Sequence, residues 1–559
     1  MIGPLKSLNP ANAVEDNMRG ADLLVKTLVD ADVSRIFALS GNQIMSIFDA
    51  SIGTGLELIH TRHEAASVHM ADAWGRLTGR PGIALITAGP GLANALSALY
   101  VAKVAESPLV LLSGHTPVNQ LGLGAFQEIP QAAMAAHVTK ASWMASDGSQ
   151  LGNDIENALL IASHGRPGPV QISLPADVLE SEIVGGPADF VSKALANLST
   201  VRLTDGAIGQ LANALGNAQR PLVLGGPAFT RGQPAEALRA FSDATSVPAI
   251  GMESPRGVND PSLGAFAEVL VQADLVLLLG KRLDFMVQFG SGSDINPDAL
   301  FMQVDSDEDA VTHTKTRLEA MGKTSAAQLG DPLDAVQRLT AAVRSASSDW
   351  RDEVRKAVAH RPVQWRKIEH AQGEPLHAVE IGRAVQAFLD GALDSIYVSD
   401  GGEVGQWAQA CLSTSRRVIN GPSGSIGSSI PMAIGARASN ADSRIVAMLG
   451  DGTFGFHPAE FDTAVRNNLP FIAVIGNDSA WNAEYQIQLR DYGEDRLNGC
   501  ELLPSTRYDE VARALGGYGE LVTEASELGL ALQRAHDSGL PACINVIMAR
   551  NAAPIIRRN

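Results

Sequence analysis

The sequence predicts an α/β protein with three domains built on parallel sheets. Short apolar runs that end in Gly alternate with helical patterns along the whole chain, which is the order expected of βα units. With 559 residues, the chain exceeds what one hydrophobic core normally holds. Its composition, 45% apolar and 19% charged, is that of a folded globular protein and not of a disordered one.

The candidate strands fall into three sets along the chain. A stretch of weak periodicity from about Ser181 to Thr204 is predicted to be a linker, and a polar region from about 345 to 375 precedes the third set. The predicted domains therefore cover residues 14–182, 203–345 and 375–550. Typical strand candidates of the three sets are "GIALITAGPG" and "PLVLLSG", then "RPLVLGG" and "ADLVLLLG", then "SRIVAMLGDG" and "LPFIAVIGND".

Charge and cysteine content exclude several classes of protein. The chain has 43 basic and 61 acidic residues and a net charge of −18, which disfavours a nucleic-acid partner. No run approaches the roughly 18 apolar residues of a membrane span, and the N-terminal segment lacks the apolar region of a signal peptide. Its three cysteines are widely spaced and odd in number, so we expect reduced thiols and a cytoplasmic protein without a membrane partner.

The stretch "AMLGDGTFGFH" places one Asp between two glycines at the end of an apolar run. The strand is predicted to end at Gly450 and a helix to begin near Pro458. Gly450 and Gly452 let the backbone approach a ligand closely, and Asp451 supplies a hard oxygen that suits Mg²⁺ or Ca²⁺. The triplet alone is more often a plain turn.

The next strand candidate, "LPFIAVIGND", ends on Asn477 and Asp478. Because the carboxyl ends of parallel strands share one sheet edge, these side chains are predicted to lie near Asp451. Magnesium held by so few protein oxygens needs phosphate and water to complete its octahedron. The pair of motifs therefore predicts a magnesium ion bound together with a diphosphate.

The series "GDG", "EFDTAVRNNLP" and "VIGNDSAWN" resembles the cofactor-binding motif of thiamine diphosphate enzymes. The resemblance extends from about Asp22 to Arg550 and is strongest to the branch that contains acetolactate synthase, benzaldehyde lyase, oxalyl-CoA decarboxylase and 2-hydroxyacyl-CoA lyase. It implies three doubly wound domains, namely a pyrimidine-binding, a central and a diphosphate-binding domain. It also implies thiamine diphosphate and Mg²⁺ as cofactors.

The resemblance also implies residue roles in the third domain. Asp451, Asp478 and the carbonyl of Ala480 would hold the metal; the family usually has Asn at position 478, so Asn477 remains an alternative ligand. In "SDGGEVGQW", Gly402 and Glu403 would offer backbone donors to the diphosphate. Further cofactor contacts would come from Ile426, which wedges the cofactor into its bent form, and from Gly452 and Thr453.

In the first domain, "HTRHEAASVHMADAWGRLTG" supplies Glu64 where the family has the carboxylate that contacts the aminopyrimidine ring. Pro90 and Asn94, in "TAGPGLANALSALY", match the family's Gly-Pro-Gly turn and the helix that follows, and are expected to contact the cofactor. Without the resemblance, Glu64 is an ordinary first-turn acid favoured by the helix dipole. A dinucleotide-binding oxidoreductase is disfavoured because no full Gly-x-Gly-x-x-Gly occurs.

Three further segments concern the substrate. Glu484, in "SAWNAEYQIQLRDYG", is a candidate base, because cleavage of a 2-hydroxyacyl carbon–carbon bond requires removal of the hydroxyl proton whereas decarboxylation does not. The alternative is a solvated helix acid. "GAFQEIPQ" offers Gln127 and Glu128, with Gln127 the expected contact. Less specific candidates are His63, His115 and His457, each more often structural.

The central domain is expected to bind ADP or CoA. "LLLGKRLDFMVQFG" and "FMQVDSD" resemble the nucleotide-binding part of oxalyl-CoA decarboxylase and 2-hydroxyacyl-CoA lyase, with Arg282 and Asp305 on matching positions. Arginine suits phosphate, and Asp suits a ribose or adenine donor. The same domain holds a flavin in acetolactate synthase, so the fold does not decide the ligand. Arg557 and Arg558 are expected to be a frayed tail or, alternatively, to close over a CoA phosphate.

The resulting prediction is a thiamine diphosphate- and Mg²⁺-dependent lyase that cleaves a 2-hydroxyacyl-CoA to formyl-CoA and an aldehyde or ketone, reversibly. The alternatives are oxalyl-CoA decarboxylase and a carboligase like acetolactate synthase or benzaldehyde lyase. A catalytically inactive regulatory relative is disfavoured because Glu64, Asp451 and the metal loop are all present. Family sites form between the pyrimidine domain of one subunit and the diphosphate domain of another, so a homodimer or homotetramer acting on a small acyl-CoA is expected.

Overall fold

The computed structural model describes residues 18–183, 201–324, 326–344, 348–504 and 506–558. Three sheets, of six, five and six strands, confirm the predicted α/β class. Every strand pairing within these sheets is parallel. Among the described residues, no helix combines the length and apolar character that a membrane crossing requires.

The first domain carries a six-stranded sheet. Its strands are β1 Arg35–Ala38, β2 Glu57–His60, β3 Gly82–Ile86, β4 Leu109–His115, β5 Ala141–Met144 and β6 Pro169–Pro175. Its helices are α1 Gly20–Asp30, α2 Met45–Ala50, α3 Glu64–Thr78, α4 Pro90–Val104, α5 Gln131–Ala136, α6 Leu151–Ser163 and α7 Ala176–Glu180. The strand order is β2-β1-β3-β4-β6-β5. Strands β3, β4 and β6 are buried at every residue, as expected when helices cover both faces of a parallel sheet.

The central domain carries a five-stranded sheet. Its strands are β7 Pro221–Gly225, β8 Ala249–Gly251, β9 Leu275–Leu279, β10 Leu300–Asp305 and β11 Ala326–Leu329, in the order β11-β10-β9-β7-β8. Its helices are α8 Asp205–Asn217, α9 Gly232–Thr245, α10 Ala267–Leu270, α11 Glu308–Ala320, α12 Pro332–Ala342 and α13 Ser348–Ala359. Helix α13 lies in the region predicted only as polar, yet it packs Trp350, Val354 and Ala357 into the central core. The predicted linker lies mostly outside the described residues, and the domain boundaries stay predictions.

The third domain repeats the topology of the first. Its strands are β12 Ser395–Ser399, β13 Arg416–Ile419, β14 Arg444–Gly450, β15 Ile472–Asn477, β16 Tyr518–Val522 and β17 Ala542–Ile547. Its helices are α14 Ala378–Asp390, α15 Gly402–Cys411, α16 Ser429–Ser439, α17 Asp451–Phe454, α18 Glu460–Arg466, α19 Asn482–Tyr492, α20 Tyr508–Ala514 and α21 Ala525–Asp537. The strands are parallel in the order β13-β12-β14-β15-β17-β16, and the chain switches from one side of the sheet to the other between β12 and β14. A crevice at that point, beyond the carboxyl ends of the strands, is where such sheets bind ligands.

The first and third domains share one hydrophobic core. Helix α3 of the first domain packs against α16 of the third, and buried residues of both belong to a single apolar cluster. Gly435 permits the close approach, since a Cβ at that position would overlap the backbone oxygen of Met70. The two domains are therefore fixed relative to each other within one chain.

Candidate active site

A cavity of about 200 Å³ lies at the carboxyl ends of β12, β14 and β15. It therefore occupies the crevice where the strand order of the third domain reverses. The cavity brings together the third-domain residues predicted from the sequence: Gly402, Glu403, Ile426, Asp451, Gly452, Thr453, Asp478, Ala480 and Glu484. The central domain adds Arg256, which the sequence did not single out.

Asp451 begins a short helix directly after β14. The sequence predicted a helix start near Pro458; the structure instead forms α17 from Asp451 and a second helix, α18, from Glu460. The preceding Gly450 is extended and acts as the N-cap, so the Asp451 carboxylate lies at a helix N-terminus. Burial raises the pKa of Asp451 to about 6. Its Oδ2 atom is buried and has no hydrogen-bond partner among the described residues.

Asp478 is the second carboxylate at this sheet edge. Burial, and then the charge of Asp451, raise its pKa to about 7. Its Oδ2 atom is likewise buried without a partner. Two such oxygens at neighbouring strand ends fit a divalent cation, which would pair with both. The described residues hold no group of three or more His, Cys, Asp or Glu suited to a metal, so further ligands would have to be backbone, water or cofactor oxygens.

Asn477 does not face the cavity. Its amide donates to the carbonyl of Thr506 at 3.2 Å and to Oδ1 of Asn545 at 3.1 Å. The next residue but one, Ser479, has a φ of +56°, a conformation that a residue with a side chain adopts only under constraint. This turn leaves Asp478 and Ala480 on the cavity side, while Asn477 satisfies its hydrogen bonds inside the domain.

Glycines leave the backbone exposed on the walls of the cavity. Gly402 opens α15 with a φ of +72°, and its backbone N–H groups belong to a helix N-terminus that suits phosphate. A Cβ on Gly452 would lie 2.8 Å from the ring of Trp481, and one on Gly401 would lie 2.7 Å from Ile426. Larger residues at these positions would displace the side chains that line the cavity.

Two glutamates border the same cavity. Burial raises the pKa of Glu403, Arg256 opposes this shift, and the charge of Glu484 adds to it. Glu403 accepts a hydrogen bond from the amide of Gln406 at 2.8 Å. Glu484 lies in the first turn of α19, is exposed, and has no ion-pair partner among the residues that the structure describes. A carboxylate of this kind is free to accept a proton from a bound molecule.

Glu64 starts α3 in the first domain, with His63 as the N-cap. The amide of Asn94 donates to its Oε2 atom at 3.1 Å. Pro90 is the first residue of α4, and a Cβ on the next residue, Gly91, would lie 3.6 Å from Oε1 of Glu64. The predicted first-domain residues are thus brought together, but none of them lines the third-domain cavity of the same chain.

Gln127 lies over the Gly-Pro-Gly turn. It has a φ of +61°, and a Cβ on Gly89 would lie 2.6 Å from its carbonyl oxygen. Gln43 donates to its side-chain oxygen at 3.0 Å, and the hydroxyl of Thr87 donates to Gln43 at 2.7 Å. Sequence analysis missed Gln43 and Thr87, although both follow strands, β1 and β3, that flank the reversal point of the first sheet.

The remaining candidates have structural surroundings. Glu128 accepts hydrogen bonds from the backbone of its own loop, Gly122 first among them, and these lower its pKa. Both ring nitrogens of the buried His115 face backbone carbonyl oxygens. His63 and His457 pack edge to face at 5.4 Å between the first and third domains, and burial lowers the pKa of His457 to about 3.

The two predicted nucleotide contacts of the central domain take part in an ion-pair network. The buried Asp305 pairs with Arg166 of the first domain and accepts the N–H of Asp307 at 3.0 Å. Arg282 donates to Asp307 at 2.8 Å, and Arg166 also pairs with Glu106. A nucleotide at Asp305 would have to displace Arg166. Nucleotide binding by Arg282 and Asp305 stays a prediction.

The C-terminal segment is not frayed, contrary to expectation. Arg550 donates to the carbonyl oxygens of Asp478 at 3.1 Å and Ser479 at 3.2 Å. At the other end, Arg558 forms an ion pair of 2.8 Å with Glu268 of the central domain. The segment therefore connects the loop after β15 to the central domain.

Family models of the thiamine pyrophosphate enzymes match all three domains. The N-terminal TPP-binding domain matches residues 18–134, the central domain 208–331 and the C-terminal TPP-binding domain 400–546. The chain belongs to the thiamine diphosphate enzymes. It is therefore an enzyme of a family that acts on carbon–carbon bonds, and its cofactor is thiamine diphosphate.

Individual relatives match the chain over nearly its whole length. A probable acetolactate synthase of Mycobacterium bovis is 31% identical, with 98% of this chain and 99% of the relative covered. Human 2-hydroxyacyl-CoA lyase 1 is 28% identical, with 97% of each covered. Bovine 2-hydroxyacyl-CoA lyase 2 is 29% identical, with 95% of this chain and 90% of the relative covered.

The residues present fit the cofactor of the thiamine diphosphate enzymes. The cavity of the third domain offers two buried, unpartnered carboxylate oxygens and a glycine-rich backbone wall, which suit a metal-bound diphosphate. The first domain offers a partly exposed carboxylate, Glu64, oriented by Asn94. The third domain thus offers groups that suit the diphosphate of the cofactor, and the first domain offers a group that suits its ring.

Proposed function

We propose that this enzyme is a Mg²⁺-dependent lyase that cleaves a 2-hydroxyacyl-CoA to formyl-CoA and an aldehyde or ketone, reversibly. The observation that carries the proposal is Glu484, an exposed carboxylate on the wall of the cofactor cavity with no ion-pair partner among the described residues. The likeness to 2-hydroxyacyl-CoA lyases 1 and 2 over nearly the whole chain supports it.

In this proposal the third domain holds the phosphate end of the cofactor. Asp451, Asp478 and the carbonyl of Ala480 bind Mg²⁺, which neutralises two carboxylates that burial makes costly to ionise. Backbone N–H groups at Gly402 and Glu403 donate to the diphosphate. Thr453 and the apolar side chain of Ile426 complete the wall of the cavity.

The first domain holds the other end. Glu64 keeps a proton at the pyrimidine ring, and Asn94 fixes the orientation of its carboxylate through the 3.1 Å hydrogen bond. Gln127, held by Gln43, contacts the reacting substrate. Thiamine diphosphate supplies the electron sink that carbon–carbon cleavage requires.

Glu484 acts as the general base. It removes the proton from the substrate hydroxyl as that carbon becomes a carbonyl and the adjacent carbon–carbon bond breaks. The bonding pair passes to the carbon that becomes the formyl group, and that carbon then takes up one proton, so that no proton is gained or lost overall. In the reverse direction the same residue returns the proton. The exposure of Glu484 supports this exchange with solvent.

The active assembly in this proposal is a homodimer or homotetramer. Glu64 does not line the cavity that contains Asp451 in the same chain, so the first domain of one subunit would complete the cavity of its partner. Large apolar side chains next to Gln127 support such a contact, since Leu123 and Phe126 are 77% and 72% exposed. A cytoplasmic location is proposed from the reduced cysteines.

A carboligase that joins free 2-keto acids, like acetolactate synthase, is the second candidate. The 31% identity to a probable acetolactate synthase favours it. It is also favoured by Asp305, because each of its oxygens already accepts a hydrogen bond, one from Arg166 and one from Asp307, and a CoA nucleotide would have to compete with both.

A substrate panel tests the proposal. The enzyme, loaded with thiamine diphosphate and Mg²⁺, is incubated with 2-hydroxyacyl-CoA thioesters, oxalyl-CoA and free 2-keto acids, and the products are separated by chromatography. The lyase predicts formyl-CoA and an aldehyde or ketone from the hydroxyacyl thioesters. Turnover of only the 2-keto acids would establish the carboligase, and release of carbon dioxide from oxalyl-CoA alone would establish the decarboxylase.

Substitution of Glu484 tests its role as the base. Glu484→Gln is expected to lower kcat for hydroxyacyl-CoA cleavage by about 100-fold or more, since general bases typically contribute that much. Glu494→Gln, which changes an exposed glutamate just beyond α19, is the matched control and should retain full activity. Full activity of Glu484→Gln would refute the assignment.

A further inference from the structure

Arg256 reaches the cofactor cavity from a different domain. It follows β8 in the central domain and lines the cavity beside Gly401, Gly402 and Glu403, whereas the other residues that line this cavity all belong to the third domain. It also lines a smaller adjoining cavity of about 160 Å³. Arg256 is therefore the point at which the central domain contacts the site of the chemistry.

The guanidinium of Arg256 is unpaired. It is exposed, and among the described residues no carboxylate lies within ion-pair distance of it and no acceptor receives its N–H groups. Other arginines at the domain boundaries have partners: Arg417 pairs with Glu253, and Arg166 pairs with Glu106. Five donors in a fixed planar fork are thus available to a molecule in the cavity.

The loop that carries Arg256 is fixed by its neighbours and not by its own side chain. Glu253 accepts hydrogen bonds from Arg417 at 2.7 Å and from Thr230 at 3.1 Å. Gly257 has a φ of +55°, and a Cβ there would overlap the backbone of Met286, so the chain after Arg256 packs without space for a side chain. A cation held in this way loses little backbone entropy when it binds an anion.

Arg256 is the only basic residue among the described residues that line the cavity. Oδ2 of Asp451 and Oδ2 of Asp478 are buried without a partner and suit a divalent cation, while Glu403 and Glu484 also line the cavity. An exposed guanidinium on the rim of an acidic cavity gives an anionic molecule one attractive point of contact. We propose that Arg256 binds the anionic group of the substrate and so determines which substrates orient productively.

The ligand of this subsite is an oxyanion that a guanidinium can bind with two hydrogen bonds, and two sources have this chemistry. One is the carboxylate of a 2-keto acid, and the other is a phosphate of a CoA thioester. The proposal rests on the proposed function, because it places the substrate in the cavity that holds Glu484.

Equilibrium binding separates the two sources without relying on turnover. Oxamate, an unreactive carboxylate probe, and free CoA are titrated by calorimetry into the enzyme loaded with thiamine diphosphate and Mg²⁺. We expect Arg256→Ala to weaken one of the two probes by about tenfold or more, since hydrogen bonds to charged groups are worth this much, and Arg256→Lys to recover part of the loss. The affinity for thiamine diphosphate should not change.

Arg239→Ala is the matched control, because Arg239 is an exposed arginine on α9 of the same domain and does not line the cofactor cavity. It should bind both probes as the wild type does. A response confined to oxamate identifies a carboxylate subsite, and one confined to CoA identifies a phosphate subsite. In steady-state kinetics the matching substrate should show a raised KM in Arg256→Ala with kcat nearly unchanged.

Three results would overturn the proposal: no measurable binding of either probe to the wild type, no dependence of either probe on Arg256, or an equal loss of thiamine diphosphate affinity in Arg256→Ala. The last result would make Arg256 a cofactor residue. Failure of the lyase assignment alone would appear differently, as an absence of hydroxyacyl-CoA turnover while probe binding still depends on Arg256.

Discussion

At the residue scale, Asn477 and Asp478 are adjacent but face opposite sides of the loop after β15. The amide of Asn477 binds Thr506 and Asn545, whereas Oδ2 of Asp478 has no partner and borders the cavity with Asp451. The metal site proposed above therefore includes Asp478. Asn477 has a structural role in the interior.

Two alanine substitutions distinguish these roles. Asp478→Ala is expected to weaken Mg²⁺ binding by about tenfold or more and to leave the fold intact, because it removes a charged ligand from the cavity wall. Asn477→Ala is expected to lower the free energy of unfolding by about 1–3 kcal/mol, because it leaves the buried Oδ1 atom of Asn545 without its donor. Magnesium titrations and denaturant unfolding of both variants check this. An Asn477→Ala variant with lost Mg²⁺ affinity and unchanged stability would reverse the assignment.

Sequence alone could place the carboxylates at one sheet edge but could not choose between positions 477 and 478. Strand ends are readable from apolar runs that stop at Gly-Asp-Gly and at Asn-Asp. Which side chain faces the cavity depends on the left-handed backbone of Ser479, which no propensity of Ser predicts. Arg256 was missed for a related reason, since it reaches the site through domain packing.

At the element scale, the loops after parallel strands of the first and third domains carry most of the site. The strands were predictable because each is a short apolar run, but the helix at Asp451 was not, because α17 has only four residues and begins on Asp451, the proposed metal ligand. The next helix, α18, begins with Glu460, which binds the first domain. Its carboxylate accepts the N–H of Arg62 at 3.0 Å and the hydroxyl of Thr463 at 2.7 Å.

Glu460 makes this contact between domains sensitive to pH. Burial raises its pKa from 4.5 to about 7, so the folded protein retains a proton that the unfolded chain loses. The contribution of Glu460 to the free energy of unfolding is fully present below pH 4.5 and is lost as the pH rises through 7. Glu460→Gln cannot lose this proton, so its free energy of unfolding should rise relative to wild type between pH 5 and pH 8, by up to about 3 kcal/mol.

Denaturant unfolding of both proteins at several pH values measures the difference. Glu494→Gln, on an exposed helical turn of the same domain, serves as a control in which the difference from wild type should stay constant. A constant difference for Glu460→Gln as well would contradict the account.

At the scale of the whole molecule, the two groups of residues proposed to bind the cofactor lie apart within one chain. Glu64 begins α3, whose far side packs on α16 of the same chain, while the cavity around Asp451 has no first-domain residue in its wall. The shared core fixes this separation, because Gly435 and Met70 leave no space for the domains to move past each other. In the proposed assembly, a second chain supplies the first-domain residues that this cavity lacks.

The shared site is a proposal that comes from the resemblance, whereas the fold was predicted from the pattern of the sequence and is confirmed. Three sets of strands indicated three domains, and the two six-stranded sheets indeed share one strand order. Substrate choice lay beyond the sequence, because the central domain uses Asp305 and Arg282 in ion pairs whose partners come from distant parts of the chain. Long-range pairing of this kind leaves no local signal.

Mixed dimers test the shared site most directly. Chains carrying Glu64→Gln and chains carrying Asp451→Ala are co-expressed with different affinity tags, and assemblies containing both are isolated and assayed beside each parent. Both parents should be inactive. Because a mixed dimer pairs the intact first domain of one chain with the intact third domain of the other, it should recover roughly half of the wild-type activity. Mixed dimers as inactive as both parents would show that Glu64 and Asp451 serve one site within a single chain.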